Sequence, residues 1–393
     1  MAQVYLQDEQ EEQIRLNMPQ NVIIKRYAIV SAGRYIAPHG RNCLVIAGKH
    51  FLESEDSEIF FSSLTLKSVD FETEEYAGGE PEVSSVDGIV GRHRGGRFDC
   101  VVGIGGGSVI DTAKAVSGML ANDGGVEQYL ELPGREIMRN SPLPFIAIPT
   151  TAGTGAEATK NAVIKNGALR YKKSFRDERL TARCVIIDAP LYTGAPGEVT
   201  AFSGMDALTQ LVEAFTSNYA NGRTDEFCRQ GFRHIRYLAA AYSDPGNISA
   251  REETALAAYK SGVAISNAGA GAVHALASPI GAHTGLAHGL ICGILLPRIM
   301  EINKPYALKK YAEIGRLITG NSDSDDEIMA EAAIAAVGSL ARALKIPMSF
   351  HDERLNKLSA AIVGECINGG SMRSNPAAFD EEFWKAFVVE MSK

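Results

Sequence analysis

Several features that mark whole classes of protein are missing from this sequence. The 39 Lys and Arg residues are outnumbered by 47 Asp and Glu residues, which gives a net charge of −8. Nucleic acids and anionic membranes are bound by clustered basic residues, so we expect neither as a partner. The six cysteines, Cys292 among them, form no C-x-x-C pair and predict buried free thiols in a reducing cytoplasm.

No stretch has the pattern of a targeting or membrane-spanning segment. Residues 1–19 are rich in Gln and acidic residues and have neither a basic start nor an apolar core, so we expect a flexible lead-in rather than a signal peptide. The uncharged run Ser261–Pro297 is interrupted by Gly, Pro, Asn and His, which argues against a membrane span. With 45% hydrophobic and 22% charged residues, the chain is typical of a soluble protein with two domains.

A glycine-rich turn lies between a short apolar run and a helical pattern. Cys100–Ile104 predicts a buried strand, and apolar residues at helical spacing over Val109–Val116 predict a helix after Gly105–Gly107. The glycines let the backbone approach a ligand and present its N–H groups at the positive end of the helix, which suits a phosphate. A turn without a ligand remains the alternative, because Ser108 stands where the common dinucleotide fingerprint has glycine.

Short runs rich in Val and Ile alternate with helical patterns in the first half of the chain. The predicted strands are Val22–Ile24, Ala28–Val30, Cys43–Ala47, Lys67–Phe71, Cys100–Ile104, Phe145–Pro149 and Cys184–Asp188. Asp56–Leu64 and Glu82–Arg92 are predicted helices between them, and this alternation predicts parallel βαβ units. Asn161–Lys165 and Leu169–Ser174 predict a β-hairpin across Asn166–Gly167.

The composition changes after Pro196, where Ala, Leu and Glu at helical spacing replace the Val and Ile runs. The predicted helices are Ala201–Ser217, Asp225–Ala241, Ala250–Ser266, Asp326–Leu344, Arg354–Cys366 and Pro376–Met391. We therefore expect an α/β dinucleotide-binding domain with a parallel sheet over residues 1–195 and an all-α domain over 196–393. The active site is expected in the cleft between them.

The run Ser261–Pro297 contains no Asp, Glu, Lys or Arg, yet it holds His274, His283 and His288. Such a segment must line the interior or a cleft, where its histidines need partners. Asp206 and Gln210 lie four residues apart on one predicted helix and so face the same side. Spacing alone leaves two interpretations open, a set of satisfied core residues or a ligand site.

The glycine turn resembles the Gly-Gly-Gly-Ser-x-x-Asp-x-x-Lys segment of the iron-containing (group III) alcohol dehydrogenases, which are related to glycerol dehydrogenase and dehydroquinate synthase. The segments Pro149–Glu157, Gly204–Thr209 and His274–Gly289 agree with that family in the same order. The resemblance implies the two-domain fold expected above and an NAD(P)-dependent alcohol dehydrogenase or aldehyde reductase. Such an enzyme interconverts a small alcohol and its aldehyde or ketone by hydride transfer. We also expect a homo-oligomer, a dimer.

The resemblance also implies a set of cofactor-binding residues. The pyrophosphate is expected to be held by Gly105, Gly106, Gly107 and Ser108, and the cofactor to be lined by Thr150, Thr151 and Thr154. Asp111, also a catalytic candidate, is expected near the nicotinamide, and Lys172 at the ribose. NAD-preferring relatives commonly have an aspartate where this chain has Gly48, followed by Lys49. Without that negative charge we expect NADPH to be accepted and preferred.

In the family a divalent metal is held by an Asp, a His four residues later and two further His fourteen residues apart. The resemblance implies Asp206, His274 and His288 as ligands, with Gln210 in place of the second, so we expect Fe or Zn to be weakly held or absent. His288 is also a catalytic candidate. Ser278 stands where the family has a proton-transferring histidine, and His283 is the expected substitute.

Two other functions stay open at this point. One is a dehydroquinate-synthase-like cyclase or lyase that uses NAD transiently. The uncharged wall Ser261–Pro297 counts against it, because a phosphorylated substrate needs several cations. The other is a cofactor-binding protein with impaired catalysis, suggested by Gln210 and Ser278 in place of two imidazoles.

Overall fold

A computed structural model of the protein describes residues 15–132, 135–168, 171–322 and 324–393. The expected lead-in over residues 1–19 therefore lies largely outside the described residues, and so does Leu169, the first residue of the second predicted hairpin strand. Among the described residues, no helix is both long enough and apolar enough to cross a bilayer.

Six parallel strands form the main sheet, and two antiparallel strands form the predicted hairpin. The strands are β1 (Asn21–Ile24), β2 (Asn42–Gly48), β3 (Asp70–Tyr76), β4 (Cys100–Gly105), β5 (Phe145–Pro149), β6 (Asn161–Asn166), β7 (Tyr171–Arg176) and β8 (Cys184–Ile187). The sheet order is β1-β8-β5-β4-β2-β3, and β6 pairs with β7. The predicted parallel sheet is thereby confirmed.

Two strand predictions are wrong. Ala28–Ser31 is a short 3-10 helix, whose start is held by the Asp188 carboxylate, which accepts hydrogen bonds from the backbone N–H groups of Tyr27 and Ile29. A three-residue apolar run does not distinguish a strand from a buried helical turn. The strand predicted over Lys67–Phe71 begins at Asp70 instead; it pairs with β2 alone, and an edge strand accommodates its exposed acidic residues.

Helices cover both faces of the sheet. Those of the first half are α1 (Ala32–Ile36), α2 (Lys49–Leu52), α3 (Glu55–Thr65), α4 (Val83–His93) and α5 (Gly107–Met119). Side chains of β2 alternate between two cores: Leu44 and Ile46 pack with α4 and α5, whereas Val45 and Ala47 pack with α1, α2 and α3. A parallel sheet buried on both faces explains the continuous Val and Ile runs of the sequence.

After the sheet, every regular element among the described residues is helical. The helices are α6 (Gly197–Thr216), α7 (Gly222–Ile235), α8 (Leu238–Ser243), α9 (Ile248–Ala268), α10 (Ala272–Thr284), α11 (His288–Asn303), α12 (Leu308–Thr319), α13 (Asp326–Ala343), α14 (Arg354–Cys366), α15 (Gly370–Ser374) and α16 (Glu381–Met391). The predicted helix Asp225–Ala241 is divided between α7 and α8. The sequence did not predict helices α10 and α11, because their residues up to Pro297 include no charged side chain to reveal a helical period. The domain limits at 195 and 196 stay a prediction.

The two parts of the chain meet where a loop after β5 touches α9. Gly155 has a φ of 59°, and a Cβ built on it would lie 2.5 Å from Cα of Gly262. No side chain fits at that distance, and the left-handed φ also favours glycine. The close backbone contact sets the edge of the cleft between sheet and helices.

A buried lysine of α5 forms hydrogen bonds with the segment that follows this loop. Lys114 is fully buried, and its Nζ donates to the carbonyl oxygens of Ala156, Thr159 and Asn161 at 2.6, 3.0 and 2.8 Å. The hydroxyl oxygen of Thr159 lies 2.9 Å from Nζ, and the carboxylate of Asp111 lies 3.7 Å away. Burial lowers the pKa of Lys114 to about 8, and the charge of Asp111 opposes that shift. One ammonium group therefore joins α5 to the segment between β5 and β6.

Replacing Lys114 with Met should destabilise the protein strongly. The variant removes the ammonium and leaves several buried carbonyl groups and Asp111 without their partner, which typically costs about 3–5 kcal/mol. We expect the free energy of unfolding, measured in urea, to fall by about 3 kcal/mol or more. Lys309→Met, on the exposed face of α12, is the matched control and should change it by less than about 0.5 kcal/mol. Equal effects of the two variants would contradict this role.

Candidate active site

The carboxyl ends of the central strands meet at one edge of the sheet. Gly48 ends β2, and Gly105 of β4 is in register with Pro149 of β5. The chain continues from β2 to β3 on one side and from β4 to β5 on the other, so the strand order reverses between β2 and β4. Open parallel sheets bind ligands in the crevice at this point.

The predicted pyrophosphate turn lies in this crevice. Helix α5 begins at Gly107, and among the described residues no side chain caps it, so its first N–H groups point into the crevice unpaired by a capping residue. A Cβ built on Gly106 would lie 3.2 Å from the hydroxyl oxygen of Thr151, and one on Gly107 would lie 2.5 Å from that of Thr154. The backbone N–H of Thr150 donates to the carbonyl of Gly105 at 2.9 Å. The structure thus brings the glycine turn and the three threonines together.

The other predicted cofactor residues surround this turn. A Cβ on Gly48 would be 3.6 Å from Val109 of α5, whereas the side chain of Lys49 is mostly exposed and 3.6 Å from Glu53. Asp111 accepts a hydrogen bond from the backbone N–H of Val163 at 3.0 Å. Burial raises its pKa, although Lys114 opposes the shift.

A second group of side chains converges in the helical part. Asp206 of α6, His274 of α10, and His288 and Cys292 of α11 each offer an atom within 4.8 Å of the others. Oδ1 of Asp206 lies 3.2 Å from Nε2 of His274 and 3.8 Å from both Nε2 of His288 and Sγ of Cys292. Sγ of Cys292 is 3.7 Å from Nε2 of His288. We call these four residues the Asp206 cluster.

Glu213 orients one imidazole of the Asp206 cluster. It lies on α6, and its carboxylate accepts hydrogen bonds from Nδ1 of His274 at 2.5 Å and from the backbone N–H of Val273 at 2.6 Å. Nε2 of His274 then faces Asp206 and has no hydrogen-bond partner among the described residues. A carboxylate behind an imidazole, with the far nitrogen left free, is the usual arrangement around a metal-binding histidine.

Burial and the nearby carboxylates set the charges of the Asp206 cluster. Burial lowers the pKa of His288 to about 4, which leaves a neutral imidazole with a free lone pair. Burial also disfavours a charged His274, but Glu213 and Asp206 outweigh it and raise the pKa of His274 to about 10. For Asp206, burial is outweighed by contact with His274 and the charge of His288, so its pKa lies below the ordinary value. A positive charge is therefore favoured beside Asp206.

Gln210 lies between α9 and the loop of residues 150–154 that follows β5, which we call the cofactor loop. Its Nε2 donates to the carbonyl of Thr154 at 3.1 Å, and its Oε1 accepts a hydrogen bond from the hydroxyl of Ser261 at 2.8 Å. The side chain thereby connects α6 to the cofactor loop and to α9. Its expected role as a metal ligand stays a prediction.

His283 is not part of the Asp206 cluster, and its catalytic role stays a prediction. It lies nine residues after His274 on α10, about two and a half turns, and so on the opposite side of the helix. Its Nε2 contacts Glu365 at 2.9 Å. Ser278, one turn after His274, does reach the site and lines the cavity beside it.

A cavity of about 170 Å³ opens beside His274 between the β6–β7 hairpin and helices α10 and α14. Residues that line it include Tyr171, Lys172, His274, Ser278, Glu365 and Gly369. Lys172 is mostly buried, and its Nζ forms an ion pair with Glu80 at 2.5 Å. The expected cleft between the α/β and helical parts is thus present, with polar groups from both sides.

Comparison with known proteins identifies the family. Residues 19–189 match the family described as iron-containing alcohol dehydrogenase, and residues 200–385 match the C-terminal part of the Fe-containing alcohol dehydrogenase family. The 1,3-propanediol dehydrogenase of Klebsiella pneumoniae is 32% identical over 87% of this chain and 89% of its own. The chain belongs to the iron-containing alcohol dehydrogenase family.

Further relatives agree with this assignment. The NAD-dependent methanol dehydrogenase of Bacillus methanolicus is 32% identical over 85% of this chain and 87% of its own. A crystal structure of 1,3-propanediol oxidoreductase superposes with a TM-score of 0.89 at 27% identity, covering 97% of this chain and all of the other. The expected fold class and enzyme class, an NAD(P)-dependent alcohol dehydrogenase or aldehyde reductase, are confirmed. The cyclase alternative is not favoured.

Two residues of the site were missed from the sequence, although it carried a signal for each. Glu213 follows Asp206 by seven residues, and Cys292 follows His288 by four, so both pairs share a helix face.

Glu157 supplies a test of the electrostatics around the cofactor loop. Glu157 lies four positions before Asn161 in the sequence, and its side chain is buried. Burial raises the pKa of its carboxyl from 4.5 to about 7. Between these two values the folded protein holds a proton that the unfolded chain has released. Raising the pH through this window therefore lowers the free energy of unfolding.

Glu157→Gln should remove this pH dependence. At pH 8 we expect the variant to be more stable than the natural protein by on the order of 3 kcal/mol, with the difference shrinking toward pH 4.5. Urea unfolding at a series of pH values measures it. The exposed Glu58→Gln on α3 is the control, for which parallel stability curves are expected. A pH-independent difference for Glu157→Gln would exclude the proposed titration.

Proposed function

We propose that this chain interconverts a small alcohol and its aldehyde or ketone at the Asp206 cluster, with a hydride carried by NADPH or NADH. The observation that carries the proposal is the position of Asp206, His274 and His288 beside a cavity that Lys172 also lines. Polar groups of that kind in a cleft at the edge of a parallel sheet are typical of an active site.

The dinucleotide is proposed to bind along the carboxyl edge of the sheet. Gly105–Ser108 would hold the pyrophosphate at the start of α5, with Thr150, Thr151 and Thr154 beside it. Asp111 is assigned to the nicotinamide end and Lys172 to the ribose. Gly48 and Lys49 would accept the 2′-phosphate of NADPH, because no carboxylate side chain ends β2.

Asp206, His274 and His288 fit a divalent cation. The fit rests on the unpartnered Nε2 of His274, on the neutral imidazole of His288 and on the carboxylate that faces both. A cation bound there would supply Lewis-acid chemistry, and the dinucleotide would supply the hydride. Fe and Zn are both compatible with one carboxylate and two imidazoles.

The chain's own groups define the substrate cavity. Ser278 provides a hydroxyl and Lys172 an ammonium, and both can donate hydrogen bonds to a substrate oxygen beside His274. The volume of about 170 Å³ suits a small substrate. The proposed assembly is a homodimer, and the proposed compartment is the cytoplasm, where the free and buried cysteines stay reduced.

Oxidation of NADPH and NADH with a panel of small aldehydes tests the function. We expect turnover that falls at least ~100-fold after EDTA treatment and returns when Fe(II) or Zn(II) is added, since a Lewis acid contributes several kcal/mol to such reactions. Asp206→Asn should reproduce the loss without recovery. Cofactor binding without turnover under all these conditions would instead support the impaired cofactor-binding protein.

The cofactor preference is tested at the end of β2. Gly48→Asp should lower kcat/KM for NADPH at least ~10-fold and spare NADH, because two like charges about 4 Å apart repel by roughly 1–4 kcal/mol. The added Cβ would make only an ordinary contact with Val109 at 3.6 Å. Gly48→Asn has the same shape without the charge and should retain NADPH. A natural protein that uses NADH alone would overturn the expected preference.

A further inference from the structure

We propose that Cys292, rather than Gln210, is the fourth protein ligand of the metal site, so that the site is an Asp-His-His-thiolate set that favours Zn(II) over Fe(II). This inference rests on the proposed metal-assisted function and deepens it by naming the ligand and the metal. The sequence predicts Cys292 only as one of six buried free thiols.

The distances within the Asp206 cluster are close to those between the ligands of one metal ion. With bonds of about 2.0–2.1 Å to nitrogen or oxygen and about 2.3 Å to sulfur, tetrahedral ligands lie roughly 3.3–3.6 Å from one another. The contacts of Asp206 Oδ1 with His274, His288 and Cys292 measure 3.2, 3.8 and 3.8 Å. Sγ of Cys292 lies 3.7 Å from Nε2 of His288. The two remaining pairs, His274 with His288 and His274 with Cys292, lie within 4.8 Å, so the four atoms must draw together to form the tetrahedron.

Helix geometry places the thiol there. His288 is the first residue of α11, and Cys292 lies one turn later on the same face. Both therefore point at Asp206 from one rigid element. Cys292 is fully buried, and among the described residues its sulfur makes polar contacts with Asp206 and His288 alone.

Both ends of the Gln210 amide already have partners outside the Asp206 cluster. Its amide nitrogen donates to the carbonyl of Thr154, and its amide oxygen accepts from the hydroxyl of Ser261 on α9. The amide therefore joins the helical part to the cofactor loop. The cysteine replaces it as ligand without disturbing that connection.

The chemistry of sulfur favours the same assignment. Binding breaks the S–H bond of Cys292 and the Nε2–H bond of His274, and both protons leave to solvent. Sulfur and nitrogen each donate an electron pair to the cation, so no oxidation occurs. Thiolate is a soft ligand that selects Zn(II) over Fe(II).

The absorption spectrum of the cobalt-loaded full chain tests this assignment. Co(II) added to metal-free protein should give a near-ultraviolet sulfur-to-cobalt charge-transfer band together with the visible bands of a tetrahedral ion. Cys292→Ser should abolish the charge-transfer band and weaken Zn(II) binding at least ~100-fold in competition with a chelator, more than the loss of an outer partner typically costs. Circular dichroism establishes that the variant is folded.

Cys366→Ser is the matched control. Sγ of Cys366 donates to the carbonyl of Val363, a bond that a serine hydroxyl can keep. This variant loses one buried thiol and should retain both the band and the affinity for Zn(II). Because the natural protein alone must show the charge-transfer band, the test does not depend on any variant folding.

Three results would overturn the inference: visible cobalt bands without the charge-transfer band in the natural protein, an unchanged band in Cys292→Ser, or no uptake of Co(II). Turnover of aldehydes separates this outcome from the proposed function. A protein that turns over aldehydes but lacks the band retains the function and loses the cysteine ligand. A protein that has the band but no turnover retains the ligand and loses the function.

Discussion

The ammonium group of Lys114 is the interaction on which the cofactor side of this protein depends. It lies on α5, which begins at the glycine turn, and it donates hydrogen bonds to the backbone between the cofactor loop and β6. A buried cation with several acceptors is costly to disrupt, so the turn and the loop keep one relative position. That position allows the hydroxyl oxygen of Thr154 to lie where a side chain on Gly107 would have to be.

Helix α6 performs the corresponding task for the helical part. Asp206, Gln210 and Glu213 lie along one of its faces, and each has a different partner: the ligand cluster, the cofactor loop and the outer nitrogen of His274. A single rigid helix therefore sets the distance between the dinucleotide crevice and the Asp206 cluster. This arrangement explains why a buried helix in an apolar core carries three polar side chains that would otherwise be unfavourable there.

The uncharged segment Ser261–Pro297 contributes to the site as well as to the hydrophobic core. Helices α10 and α11 have no Asp, Glu, Lys or Arg up to Pro297, so the only ionisable groups that they bring to Asp206 are imidazoles and one thiol. These are the side chains that bind a divalent transition metal while neutral or after losing a proton. Lys172 and Glu80 form an ion pair with each other on the other side of the cleft.

The sequence by itself determined the α/β order and the glycine turn at the end of β4, because hydrophobic period and local motifs depend on neighbouring residues. Asp206, His274 and His288 were implied as metal ligands only by the resemblance to a family. The sequence misplaced Ala28–Val30, whose helical turn depends on the distant carboxylate of Asp188. Only the tertiary structure turned Gln210 toward Thr154 and brought Cys292 to Asp206. These contacts join residues that are 56 and 86 positions apart, and they depend on how helices pack, which no local pattern encodes.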